Sequence, residues 1–123
     1  MRGLIGDGLA TAVHDLSDGG LLVALAEMAM AGKLGATMGK PPSGAISHGY
    51  WFGEDQARYV VTISTAQLPA VLAKAKAAGV ACREIGATGG DALVIADEGS
   101  VSVKQLDAQF EGWLPNYMTA TSD

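Results

Sequence analysis

An α+β fold is predicted, with a mixed or antiparallel sheet covered by helices and a partly ferredoxin-like order. Three observations predict it. Strand-like and helix-like segments alternate along the chain. Two strand-like segments within residues 80–96 are joined too tightly for a parallel crossover. The length, 123 residues, is that of one compact domain.

The elements follow in order. The opening MRGLIGDGL reads as the frayed end of a helix stopped at Gly6 or Gly8, the start expected of a piece of a longer chain. Residues 10–16 (ATAVHDL) are β-branched and half apolar, and run into Ser17-Asp18-Gly19-Gly20. Residues 21–31 are unbroken helix formers, with Leu22, Leu25, Met28 and Ala29 on one side and Gly32 as the stop. The glycine, proline and serine of residues 39–49 predict a loop, expected to be the disordered segment. Residues 50–58 lead from there into a strand at 59–64 (YVVTIS).

Thr65 is the expected N-cap of a helix with Pro69 in its first turn and Leu68, Val71, Leu72 and Ala75 at helical spacing, ending at Gly79. Residues 80–86 alternate as a half-buried strand, Gly89-Gly90 makes a hairpin turn, and residues 92–96 form a short buried strand. Ser102 with Gln105 forms a capping box, and Val101 with Leu106 a hydrophobic staple. The helix that follows carries Val103, Leu106, Phe110 and Trp113 on one face; Pro115 is expected to close it, leaving 119–123 as a loose tail. The whole chain, 1–123, is one domain.

Composition narrows the function. Hydrophobic residues make up 49% of the chain and mean hydropathy is +0.24, so the chain can build a core and is not a disordered one. Eight basic against thirteen acidic residues give a formal charge of −5, with no basic stripe for duplex nucleic acid. The longest apolar stretch, 21–31, is interrupted by Glu27 and too short to cross a bilayer. The one cysteine, Cys82, excludes an internal disulfide and a cysteine-rich zinc module, and reads as a small core residue of a strand. No secretory leader is visible at the start, so the cytoplasm is the expected compartment.

Two clusters hold the chemistry. In His14-Asp15-Leu16-Ser17-Asp18-Gly19-Gly20, carboxylates, a hydroxyl and an imidazole sit at a strand end before a helix. Such a corner offers free N–H groups to phosphate oxygens, and Asp15 or Asp18 to Mg²⁺. The plainer reading makes Ser17 or Asp18 a helix N-cap and His14 a structural residue. Asp15 is expected just inside the apolar strand end, where an unpaired carboxylate is costly. In the second cluster, Glu54 and Asp55 can take a cation, Gln56 can donate and accept, and Arg58 presents a fork for carboxylate or phosphate. Here the plainer reading is a charged strand edge with Arg58 paired to Glu54. Trp51 and Phe52 are expected to be exposed as an interface. The glycine-rich stretch 86–91 has no helix after it and is a turn rather than a phosphate loop. No P-loop, G-x-S-x-G or H-E-x-x-H is present in the chain.

HDLSDGGLLVALAEMAMAG, followed some twenty residues on by FGEDQARYVVTIS, resembles the C-terminal domain of phosphoribosylformylglycinamidine synthase large subunits, in the aminoimidazole-ribonucleotide-synthetase superfamily. The resemblance spans residues 8 to about 114. It implies a shape like the C-terminal domain of PurM, in a larger ATP-dependent ligase of purine biosynthesis. That ligase converts formylglycinamide ribonucleotide, ATP and glutamine-derived ammonia into the amidine, ADP and phosphate, with Mg²⁺ as metal. Its partners are the N-terminal domains of the same polypeptide, a glutaminase subunit and, in many bacteria, a small accessory subunit.

In the family's internal, related half, the aspartate at the position of Asp15 binds Mg²⁺ and the segment at Glu54-Asp55-Gln56 binds substrate. By that pseudo-symmetry Asp15 is the metal residue here. Ser17, Asp18, Gly19, Gly20, Glu54, Asp55, Gln56 and Arg58 line a second, structural nucleotide cleft for ATP or ADP. The resemblance places no catalytic acid or base in this chain, which should be inactive alone and, with its docking face bare, prone to self-association. Two other readings stand beside it: the same half-domain of a selenophosphate, thiamine-phosphate or hydrogenase-maturation enzyme, or a non-catalytic ferredoxin-like ligand- or subunit-binding module.

Overall fold

The computed structural model describes residues 1–120. Its elements are α1 (Arg2–Gly6), β1 (Ala12–Asp15), α2 (Gly20–Gly32), β2 (Ala36–Met38), α3 (Ser47–Phe52) and β3 (Tyr59–Thr62). A 3₁₀ turn (Thr65–Gln67) leads into α4 (Leu68–Ala77), then β4 (Gly86–Thr88), β5 (Ala92–Ile95), β6 (Gly99–Ser102) and α5 (Val103–Ala120). β1 and β3 form an antiparallel ribbon, and a mixed four-stranded sheet runs in the order β4-β2-β5-β6. This is the α+β architecture the alternation predicts.

The core lies where α2 meets the four-stranded sheet and α3. Leu21, Ala24, Leu25 and Ala29 are buried along one side of α2, at the spacing of adjacent helical turns. They meet Ala36 and Met38 of β2, Leu93 of β5, Val103 of α5 and Trp51 of α3 in one cluster. Trp51 is only 1% exposed. The expectation that it stands open beside a polar loop is therefore overturned, while its neighbour Phe52 is exposed. A buried indole needs a partner for its N–H. Trp51 Nε1 donates to Glu98 Oε1 at 3.4 Å, Ser47 Oγ donates to the same oxygen, and the Tyr50 ring meets the indole edge-on at 4.8 Å. Lys40 pairs with Asp97, so the β5–β6 turn is held near the start of the predicted loop as well as, through Glu98, to α3. That loop is shorter than predicted, because Ser47–Gly49 already belong to α3.

The sheet departs most from expectation. Residues 80–85 form no strand, and β4 begins only at Gly86. Residues 80–84 are exposed and pair with no strand, Arg83 instead lying over the Tyr50 ring at 5.0 Å, and only Ile85 reaches the core. Cys82 is exposed and outside any strand, not a core residue. Nor do β4 and β5 form a hairpin. β2 lies between them, antiparallel to β4 and parallel to β5. Residues 89–91 instead straddle the end of β2, a span of roughly 10 Å that three extended residues can cross. Gly35 ties the bridge down: its N–H donates to Gly90 O at 2.9 Å and its carbonyl accepts from Gly89 N–H at 2.8 Å. A Cβ on Gly35 would collide with the Ala92 backbone.

The predicted capping box is present, with Gln105 N–H donating to Ser102 Oγ and Ser102 N–H to Gln105 Oε1, both at 3.1 Å. Ser64, not Thr65, occupies the N-cap position of the 3₁₀ turn, and no side chain caps α4. Pro115 does not end α5, which continues to Ala120. Glu111, Trp113 and residues 115–119 are exposed, so water can reach the carbonyl whose helical donor the proline lacks. Of the expected loose tail, Thr119 and Ala120 are helical and residues 121–123 lie outside the described residues.

Replacing Gly35 by Ala should lower stability by about 2–3 kcal/mol, since either the 89–91 bridge or β5 must move. A urea unfolding midpoint unchanged from the parent chain would refute the role given to this glycine.

Candidate functional site

The ribbon β1–β3 carries the two sequence clusters to the same place. In its register Asp15 lies opposite Tyr59 and His14 opposite Val60, and Leu16 N–H donates to Arg58 O at 2.9 Å just beyond the last pair. The chain then turns through 17–19, and Gly19 N–H donates to Glu54 Oε1 at 2.8 Å. Residues 35 apart in sequence thus meet at the first turn of α2.

Neither Ser17 nor Asp18 caps α2, which corrects the helix-cap reading. Gly19 is the N-cap, in the left-handed region at φ 86°, with no side-chain cap bond of its own. Both glycines are required by internal packing. A Cβ on Gly20 would lie 2.6 Å from the Phe52 carbonyl carbon, and one on Gly19 would press into Val23. Gly20 also has φ +72° and is buried. The helix N-terminus therefore receives its anion from the protein itself: the Glu54 carboxylate sits where the orphan N–H groups and the helix dipole favour negative charge.

The remaining residues distribute as follows. Asp15 is not inside the strand end; its side chain is 69% exposed, with His14 Nδ1 4.0 Å away. His14 is engaged on both sides, Nε2 lying 2.8 Å from Glu27 Oε2 and Nδ1 2.6 Å from Asp15 O. That is the structural role foreseen for it. Its partner Glu27 was legible in sequence only as the charge that interrupts an apolar helix. Arg58 pairs with Asp55 at 3.2 Å, not with Glu54. Gln56 lies in an exposed turn beside Ala57, a non-glycine residue at φ +60°. Ser17 and Asp18 are exposed. Tyr59, across from Asp15, is exposed as well, and the sequence signal for it was its place one residue before the buried Val60.

The corner thus presents Asp15, Asp18 and Asp55 to solvent, with Glu54 also exposed but bonded to Gly19 N–H, and Arg58 the cation beside them. Among the described residues no three histidine, cysteine or carboxylate side chains gather as a metal-holding group. The described residues also include no helix long and apolar enough to cross a membrane.

Residues 1–97 match the family of the AIR synthase related protein, C-terminal domain. The chain belongs to this family. Among its relatives, the phosphoribosylformylglycinamidine synthase subunit PurL of Bradyrhizobium sp. is 59% identical over 118 residues, 96% of this chain and 16% of the relative. The corresponding subunit of Rhodopseudomonas palustris is 58% identical over the same shares. The chain therefore spans about one sixth of the length of the curated relatives it matches.

Two solved structures share the fold. PurLQS from Thermotoga maritima has a TM-score of 0.73 at 21% identity, over 85% of this chain and 20% of that one. T. maritima PurL complexed with ATP has a TM-score of 0.70 at 21% identity, over the same shares. The domain is of the PurL type within the AIR synthase superfamily.

Changing Glu54 to Ala should cost about 1 kcal/mol by stripping the α2 N-terminus of its acceptor, whereas Glu54→Gln should recover most of it. Equal melting temperatures for the parent chain and Glu54→Ala would show that the contact does not act as a cap.

Proposed function

We propose that this chain serves as the C-terminal domain of a phosphoribosylformylglycinamidine synthase. In such an enzyme, formylglycinamide ribonucleotide, ATP and glutamine-derived ammonia become formylglycinamidine ribonucleotide, ADP and phosphate. The observation that carries this reading is the 59% identity to a PurL subunit over 96% of the chain. The selenophosphate, thiamine-phosphate and hydrogenase-maturation alternatives, and the non-catalytic module, have no comparable support.

Within that enzyme the domain acts as a wall, not as the reaction centre. None of its residues serves as acid or base, and the isolated chain is inactive. Its partners are the N-terminal domains of the same polypeptide, a glutaminase subunit and a small accessory subunit, in the cytoplasm. The relative from T. maritima described as PurLQS is in keeping with such an assembly.

The β1–α2 corner is the part that faces a nucleotide. Asp15, Ser17, Asp18, Asp55, Gln56 and Arg58 form its polar lining, while Gly19, Gly20 and Glu54 hold its shape. The domain does not close a magnesium site alone. Mg²⁺ takes one or two carboxylates from a protein and completes its shell with phosphate oxygens and water. An exposed carboxylate such as Asp15 fits the place of a single ligand. When bound, the ion would neutralise phosphate charge next to these carboxylates.

Asp15→Asn in the full-length enzyme should weaken retention of ADP with Mg²⁺ about tenfold, without lowering the melting temperature of the ligand-free protein. The isolated domain should bind ADP and Mg²⁺ only weakly in calorimetry. Unchanged nucleotide retention in the Asn variant would remove Asp15 from the site.

A further inference from the structure

We propose that the outer half of α5 is a docking seam for the rest of a PurL-length polypeptide, covered there by an apolar surface of the domains that precede this one. The proposal rests on the reading of the chain as a domain of such an enzyme.

Val103, Leu106, Phe110, Trp113 and Tyr117 recur along α5 at alternating intervals of three and four, the spacing by which one helix packs against another. The first two belong to this domain's own core or pack against it. At Asp107 the helix leaves the body, fastened there by Lys33 Nζ at 2.7 Å. The seam continues past this point onto solvent. Phe110 is 71% exposed and Trp113 66%, the latter stacked on the Tyr117 ring at 5.6 Å. A groove between α2 and α5, lined by Met30, Ala31 and Phe110 together with the charged Glu27, Lys33, Asp107 and Glu111, leads onto it. Gln109 and Asn116 flank the exposed seam on one side with neutral amides, and Glu111 lies on the side toward α2. Pro115 falls on the opposite side of the helix, where it does not interrupt the seam.

The comparisons say where the occupant belongs. The family match covers residues 1–97, whereas the match to PurL subunits covers 118 residues and so runs through most of α5. PurL subunits share the sequence of this helix, and five sixths of such a chain lies outside this domain.

Hydrogen exchange at the amides of residues 108–118 tests this, compared between the 123-residue chain and the full PurL-length protein that carries it. We expect exchange at least about tenfold slower in the full-length protein, with Trp113→Asp and Phe110→Asp restoring the fast rate. Both variants should leave the melting temperature of the 123-residue chain unaltered, since the two side chains are exposed in it. Equal exchange in the short and long proteins would overturn the proposal. Protection of the short chain that grows with its concentration would overturn it in favour of a second copy. Nucleotide retention is read separately, so a failure at Asp15 and a failure at α5 are distinguishable.

Discussion

The close approach of α2 to the backbone of Phe52 and Gly53 is the constraint on which the rest of the domain depends. It exists because Gly20 has no side chain, and any Cβ there would press on the Phe52 carbonyl. Three structures converge on that contact. Trp51, one residue earlier, fills the core between α2 and the four-stranded sheet. Glu54, two residues later, turns its carboxylate onto the N-terminus of α2. The strand that follows pairs with β1, which itself feeds the same helix. A two-stranded ribbon is barely stable on its own in water. Here its rigidity is borrowed from the helix corner at one end and from the core beneath it.

That arrangement sets the electrostatics of the corner. The positive end of α2 is already met by Glu54, so a phosphate would not find an empty helix terminus. Arg58 is tied to Asp55, and the carboxylates of Asp15 and Asp18 face solvent. A polyphosphate arriving without a cation therefore meets net negative charge. With a divalent ion between the two, the same carboxylates turn from repulsive to attractive. Positive groups for the remaining phosphate charge have to come from another part of a longer protein. This is the physical reason to read the domain as one side of a cleft.

Much of this was legible in the chain before any coordinates. β1, α2, β3, α4 and β5 announce themselves by composition and period, and Ser102 with Gln105 marks the start of α5 to the residue. The adjacency of the two polar clusters was also foreseen, because a strand end and a neighbouring β element converge naturally. What escaped has common causes. β2 is three residues long, too short to show any period, yet it occupies an inner position of the sheet because the glycines around it let other backbone come close. Residues 80–85 showed the opposite problem, an alternation with no strand partner to give it meaning. The cap on α2 was misassigned to Ser17 or Asp18 because its acceptor lies 35 residues away. Asp15 was placed inside the fold by its apolar neighbours, whereas the end of the ribbon leaves it open to water.

Glycine chemistry links these failures to the site itself. A glycine read from sequence has two meanings, freedom of the backbone or room for something near it. At Gly19 and Gly20 both apply, since both lie at positive φ and both abut other atoms of the chain. The object they make room for is the protein's own 52–54 segment. A glycine pair before a helix is therefore weak evidence for a phosphate until the space beside it is known to be empty. In this domain the stronger evidence is the set of side chains left in solvent once the internal contacts are satisfied. Those are Asp15, Ser17, Asp18 and Gln56, all of them within the two polar clusters of the sequence.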